Sequence, residues 1–223
     1  MKTEATMAWT VIQTTSEGTR MSEYLSAEEG LKKIIAQRVE QANDLYALLG
    51  EFVVSFELLC QEMRQQLALL CAPAPHRQSD IFALTGEMTA APLLSSYRSI
   101  MALRCREEDR PFFKVLCTRI QRITEQRNNI VHGTWYVGWG NDPMSMFFDA
   151  PGVKIKNSSS GPKDVNMTLS EDTFRPFIRE CQELHELVFL MTVSVIDGSA
   201  VSERCELTGP KGETFATQSR AMT

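Results

Sequence analysis

Hydrophobic positions recur with a helical period over most of the chain. Leu31, Ile34, Ile35, Val39, Ala42 and Leu45 follow the three-and-four spacing of one helix face. Ser26-Ala-Glu-Glu29, just before them, has the pattern of a capping box and predicts a helix start there. Residues 1–22 carry no sustained period and read as a flexible arm. The next stretch, LYALLGEFVVSFELLCQEMRQQLALLCA, is the most apolar helical run, with Phe52, Phe56, Leu59, Met63, Leu67 and Leu70 on one face. Gly50, costing about 1 kcal/mol in a helix relative to alanine, reads as a small-residue packing contact rather than a break. Pro73 and Pro75 end the run. Residues 73–91 read as a loop with one short helical turn at 81–84.

Pro92 suits the first turn of a third helix, where its missing N–H costs nothing. That helix is expected to reach about Cys105, with Leu93, Leu94, Tyr97, Ile100, Met101 and Leu103 on a wide apolar face. Asp109 and Pro111 repeat the start signal, an N-cap carboxylate followed by proline. The central helix follows, with Phe112, Phe113, Leu116, Ile120 and Ile123 toward the core and Gly133 as its stop. From 134 to 169 the pattern changes. TWYVGW, SMFFD, GVKIK and VNMTL are short aromatic or β-branched runs between turn formers, which predicts two to four antiparallel strands with NSSSGPKD as an exposed tip. A last helix covers roughly 173–196, with Phe177, Cys181, Leu184, Val188, Met191 and Val195 as its stripe and Asp197-Gly198 as its end. Ser170 looks like its cap, yet Pro176 would then fall deep in the helix, which favours Asp172 or Thr173 instead. The expected fold is an all-α bundle of four to five helices with a small antiparallel β insertion between the last two long ones. One domain spans 23–198, and 199–223 read as a poorly ordered tail.

Composition narrows the class. The chain has 223 residues, 43% hydrophobic and 23% charged, which suits one well-cored globular domain. A net charge of −5 argues against a protein coated in nucleic acid, while leaving room for a local basic patch. The six cysteines mostly fall inside apolar helical patterns and none pair as CxxC, so buried free thiols are expected rather than disulfides or zinc. The N-terminal residues lack the apolar core of a signal peptide, and no run reaches the roughly 18 apolar residues of a membrane span. These features read as a cytoplasmic protein without a membrane partner. No nucleotide-binding glycine loop, HExxH, GxSxG or zinc-finger spacing occurs, and no metal or cofactor is expected.

The most specific polar constellation is ITEQRNNIVHG, residues 123–133. Arg127 continues the stripe of Leu116, Ile120 and Ile123 at spacings of four, three and four, so its guanidinium must find partners. Glu57, between Phe56 and Leu58, is the expected intramolecular one. His132 lies about 140° further round an ideal helix; both line one cleft only near the helix end or across two chains. Arginine offers phosphate a planar fork of donors, and histidine titrates near neutrality.

R-N-x-x-x-H at the end of the penultimate long helix resembles the motif of the HEPN superfamily, compact helical bundles that usually pair as homodimers. The resemblance implies a metal-independent endoribonuclease of a toxin or defence system, with its site shared across the homodimer. Arg127 would stabilise the phosphate, Asn128 would support it, and His132 would be the general acid or base. The alternative is a non-catalytic module of the same fold that binds RNA, a nucleotide or a protein such as an antitoxin. The β insertion departs from the minimal bundle.

Secondary candidates surround the motif. Between Arg104 and His132 seven basic residues face four acidic ones, so Arg119 and Arg122 could track phosphates. Trp135, Tyr136 and Trp139 could stack on unpaired bases, though such a run is more often half core and half sheet surface. His76 and His185 read as structural.

Overall fold

The computed structural model of the chain describes residues 3–72, 74–135, 150–158, 161–208 and 214–217. Five helices dominate: α1 (Thr3–Cys71), α2 (Pro75–Thr85), α3 (Ala90–Arg104), α4 (Arg110–Val131) and α5 (Glu171–Asp197). Strands β1 (Thr134–Trp135), β2 (Ala150–Ser158) and β3 (Gly161–Leu169) form an antiparallel sheet in that order, inserted between α4 and α5. A second hairpin, β4 (Cys205–Thr208) with β5 (Thr214–Thr217), follows α5. This is the expected helical bundle with a small β insertion.

The six α1 residues assigned to one face, Phe52, Phe56, Leu59, Met63, Leu67 and Leu70, are all buried. They meet Phe174, Ile178, Cys181, Leu184 and Val188 of α5 and Leu93, Tyr97 and Met101 of α3 in one core. Helices α1 and α5 run in the same direction, since Glu51 faces Arg175 and Glu62 faces His185 eleven and ten residues further along. Tyr97 keeps its buried hydroxyl satisfied against Thr192 Oγ1 at 3.2 Å.

Several local expectations change. Helix α1 starts at Thr3, so Ser26 lies inside it rather than at a cap, and the first 22 residues belong to the same helix from Thr3 on. Gly50 does not break α1, but a Cβ there would meet nothing within 4 Å, so it is no packing contact. The loop expected at 73–91 holds a full helix, α2, with Pro75 in its first turn. Leu103 projects outward from α3, 84% exposed. Ser170 is the cap of α5 after all and accepts from the Thr173 N–H; Pro176 sits within the helix, six residues in. Gly198 ends α5 at φ 73°, the left-handed conformation that glycine adopts at least cost.

Among the described residues, the strands of the insertion lie between Thr134 and Leu169. In its β2–β3 pairing Ser158 lies opposite Gly161 and Asn157 opposite Pro162, so most of NSSSGPKD is paired strand rather than tip. Tyr136, Trp139 and SMFFD fall outside the described residues. The tail is also structured at its start. Asp109 occupies the α4 N-cap position but makes no cap bond. Its carboxylate, 2% exposed, accepts instead from the Val201 N–H at 2.9 Å and from Arg106 Nε at 3.0 Å. Val201 and Cys205 are thereby held in the core.

All six cysteines are free thiols, five of them buried. Burial pushes Cys60 and Cys181 up to about 12 and Cys205 up to about 11, so none of these three is a ready nucleophile. No helix among the described residues is long and apolar enough to cross a membrane.

Candidate functional site

Arg127 is placed by the α4 stripe, with Ile123 one turn before it buried in the core. Its own side chain is a quarter exposed and reaches α1. The guanidinium lies over the Phe56 ring at 5.6 Å, Nη2 contacts Glu57 Oε1 at 3.4 Å, and Nη1 contacts Asn128 Oδ1 at 3.4 Å. The expected Glu57 bridge therefore exists. The Nε atom is buried without a hydrogen-bond partner. That is costly for a cation and leaves donor capacity for a ligand at this point.

Helix α4 stops at Val131, and His132 is its C-cap, with its N–H on Asn128 O at 3.2 Å. Gly133 follows at an ordinary φ. A side chain is excluded there because a Cβ would lie 2.8 Å from Asn129 O and 3.1 Å from the Trp135 ring. The Trp135 ring also covers Gly152 of β2 so closely that no Cβ fits between them, and its indole N–H donates to Ile130 O at 2.7 Å. Trp135 thus locks the sheet to the helix end instead of offering a stacking face. Lys154, two residues beyond Gly152 and on the same strand face, donates to Asn128 O at 2.7 Å and Asn129 Oδ1 at 3.3 Å. A cation suits this helix C-terminus, where free carbonyls and the dipole concentrate negative potential.

Arg127, Asn128, His132 and Glu57 all line one pocket of about 570 Å³. One chain suffices to bring them together, because the site lies at the helix end, where the 140° offset is absorbed. Sequence reasoning missed two further cations on the wall, Arg64 and Lys154. Arg64 follows Phe56 and Cys60 at steps of four, which puts it on the same α1 face. It donates to Thr85 O at 3.2 Å and Met88 O at 3.0 Å, fixing the α2–α3 loop so that the first turn of α3 borders the pocket. Three fixed cations and a histidine face one carboxylate, a balance that favours an anionic ligand. Among the described residues, no group of three or more His, Cys, Asp or Glu is placed to hold a metal ion.

The secondary candidates lie elsewhere. Arg119 is 6% exposed and faces α5, where Nε and Nη2 grip Glu180 at 2.9 and 2.8 Å and Nη1 holds Glu183 at 2.9 Å. It is a structural cation and cannot track phosphates. Arg122 is exposed and pairs with Glu180 at 3.1 Å. His185 contacts Glu62 at 3.4 Å.

No protein-family model, curated protein or solved structure matches the chain.

Proposed function

We propose that the chain is a metal-independent endoribonuclease of HEPN type, acting through the pocket that Arg127, Asn128 and His132 line together. The convergence of these three residues with Arg64 and Lys154 on one cleft of about 570 Å³ carries the reading. The scissile phosphate sits against Arg127, whose fork of donors matches two phosphate oxygens and the charge that builds up in the transition state. His132 and Glu57 are the proton carriers. One takes the proton from the ribose 2′-hydroxyl as its oxygen attacks phosphorus; the other protonates the 5′-oxygen as the P–O bond breaks. The products are a 2′,3′-cyclic phosphate and a 5′-hydroxyl. Sharing between two chains, which the resemblance implies, is not needed to assemble this set.

Labelled single-stranded RNA incubated with the protein in EDTA tests the reading. His132→Ala should reduce cleavage by about 10²–10⁴-fold with the fold intact by circular dichroism. Arg127→Ala should lose most activity, and Arg127→Lys should recover little, because a point charge lacks the guanidinium fork. Unchanged cleavage in His132→Ala would remove the mechanism. A second reading, a non-catalytic RNA- or nucleotide-binding module, is favoured by the pocket's excess of cations, which holds an anion whether or not a proton moves. RNA bound tightly and left intact by the wild-type protein would select it.

A further inference from the structure

Among the described α1 side chains, Leu48 is the first buried one, with Leu45 just before it packed partly against the core, so the helix leaves the bundle N-terminal to this point. Over residues 28–47 that extension spans about 30 Å at 1.5 Å per residue. Its apolar stripe is exposed: Leu31 57%, Ile34 36%, Ile35 51%, Val39 56% and Tyr46 56%. Helices of this kind draw most of their stability from a packed apolar face. Here the bundle leaves Leu31, Ile34, Ile35 and Val39 of that face in water.

The positions also keep a heptad. Residues 28, 31, 35, 38, 42 and 45 alternate in steps of three and four, and 49, 52, 56 and 59 continue the same seam into the core. Two seam positions are charged, Glu28 and Arg38. In a parallel pair of such helices each would face its own copy, glutamate against glutamate and arginine against arginine. In an antiparallel pair with the two-fold at residue 33, Leu31 meets Ile35 and Glu28 meets Arg38, both pairs occurring twice. The in-seam charges are self-complementary in that arrangement alone. Glu28 already pairs with Lys32 along its own helix at 2.7 Å, an exposed contact that a partner would supplement.

We propose that the projecting half of α1 docks antiparallel on the same segment of a second copy of this chain, through the Leu31–Ile35 seam and reciprocal Glu28–Arg38 pairs. The two-fold then lies about 22 Å beyond Leu48 along the helix, with the two bundles on opposite sides. The pocket bordered by Phe56, Glu57, Cys60 and Arg64 of α1 lies further along the helix, away from this seam. The proposal goes beyond the nuclease reading and stands without it.

Light scattering on the eluting full-length chain at tens of micromolar tests it. The wild type should show twice the 25.2 kDa chain mass. Leu31→Asp with Ile35→Asp should give a monomer whose bundle melts as before, since neither residue touches the core. Glu28→Lys and Arg38→Glu should each raise the dimer Kd about tenfold or more, through like charges set face to face. The double reversal should restore the wild-type Kd. A wild-type monomer, a mass of three or more chains, or a dimer that survives Leu31→Asp with Ile35→Asp overturns the proposal. Single reversals that weaken the dimer without rescue by the double overturn it equally.

Discussion

The α4–α5 seam offers a stability prediction that follows directly from its geometry. Arg119 is a buried cation whose Nε and Nη2 grip Glu180 as a bidentate fork, while Nη1 holds Glu183 and the Phe215 ring covers the guanidinium at 5.7 Å. The two carboxylates differ in exposure: 17% for the Glu180 side chain against 43% for Glu183. Glu180→Ala strands a desolvated guanidinium with one partner and should cost about 3 kcal/mol, the lower end for a broken buried pair. Glu183→Ala removes a half-solvated partner and, after screening, should cost under about 1 kcal/mol. For a chain of this size those losses correspond to roughly 6–12 °C and under about 4 °C in Tm. Urea denaturation followed by circular dichroism at neutral pH measures both. A Glu180→Ala variant within about 0.5 kcal/mol of wild type, or less harmed than Glu183→Ala, would refute the reasoning.

The same pair sets an acid sensitivity. Burial pushes the Glu180 carboxyl up, but hydrogen bonds and charge from Arg119, with Arg122 behind it, outweigh burial and hold it below the usual carboxylate range. A depressed folded-state pKa gives stability that is complete above the unfolded value, about 4.3 for glutamate. It is lost as pH falls through the folded value. The stability gap between wild type and Glu180→Gln should therefore be constant near neutrality and shrink below about pH 4. A gap unchanged down to pH 2 would show that the carboxylate charge contributes nothing.

Three further outcomes are expected. Gly152→Ala drives a methyl into the Trp135 ring and should destabilise by at least about 1–3 kcal/mol, measured by the same denaturation, and should loosen the sheet from the end of α4. Asp109→Ala leaves the buried Val201 N–H without its acceptor and should cost about 1–3 kcal/mol, with faster proteolytic cutting after residue 199 as the local readout. Reducing agent should leave Tm unchanged, because all six cysteines are free; a drop of several degrees would reveal a bridge.

What the sequence shows and what it hides divide along physical lines. Helical period is a record of burial, so Phe52 to Leu70 on α1, Phe113 to Ile123 on α4 and Cys181 to Met191 on α5 were readable as core stripes. Phe174 and Ile178, buried at the start of α5, were not assigned to its stripe. Arg127 and His132 stood out because polar groups that interrupt or end an apolar stripe need partners. Arg64 and Lys154 did not stand out, since each becomes a wall residue only through where its element packs. Arg64 depends on the α2–α3 loop that it holds by two carbonyls. Lys154 depends on a strand register fixed by the Trp135 ring over Gly152. Arg119 misled because a cation on the α4 helix reads the same whether α5 or solvent faces it. The tail was hidden for another reason: Val201 and Cys205 are too few to show a period, and the carboxylate that anchors Val201 already had a convincing reading as a helix cap.

Helix α1 shows where such reading stops. Leu31, Ile35, Ala42 and Leu45 keep the same three-and-four spacing as Phe52, Phe56, Leu59 and Met63, so the two halves of the helix are indistinguishable by period. In the fold the second set is buried and Leu31 and Ile35 of the first are more than half exposed. Periodicity states that a face is made to be covered; it does not state which chain covers it. An apolar stripe that keeps heptad register while leaving the bundle, with Glu28 and Arg38 spaced to face each other across a two-fold, is what a sequence shaped by its own copy would retain. The core half of α1 and its projecting half then obey one rule, and only the identity of the covering surface changes at Leu48.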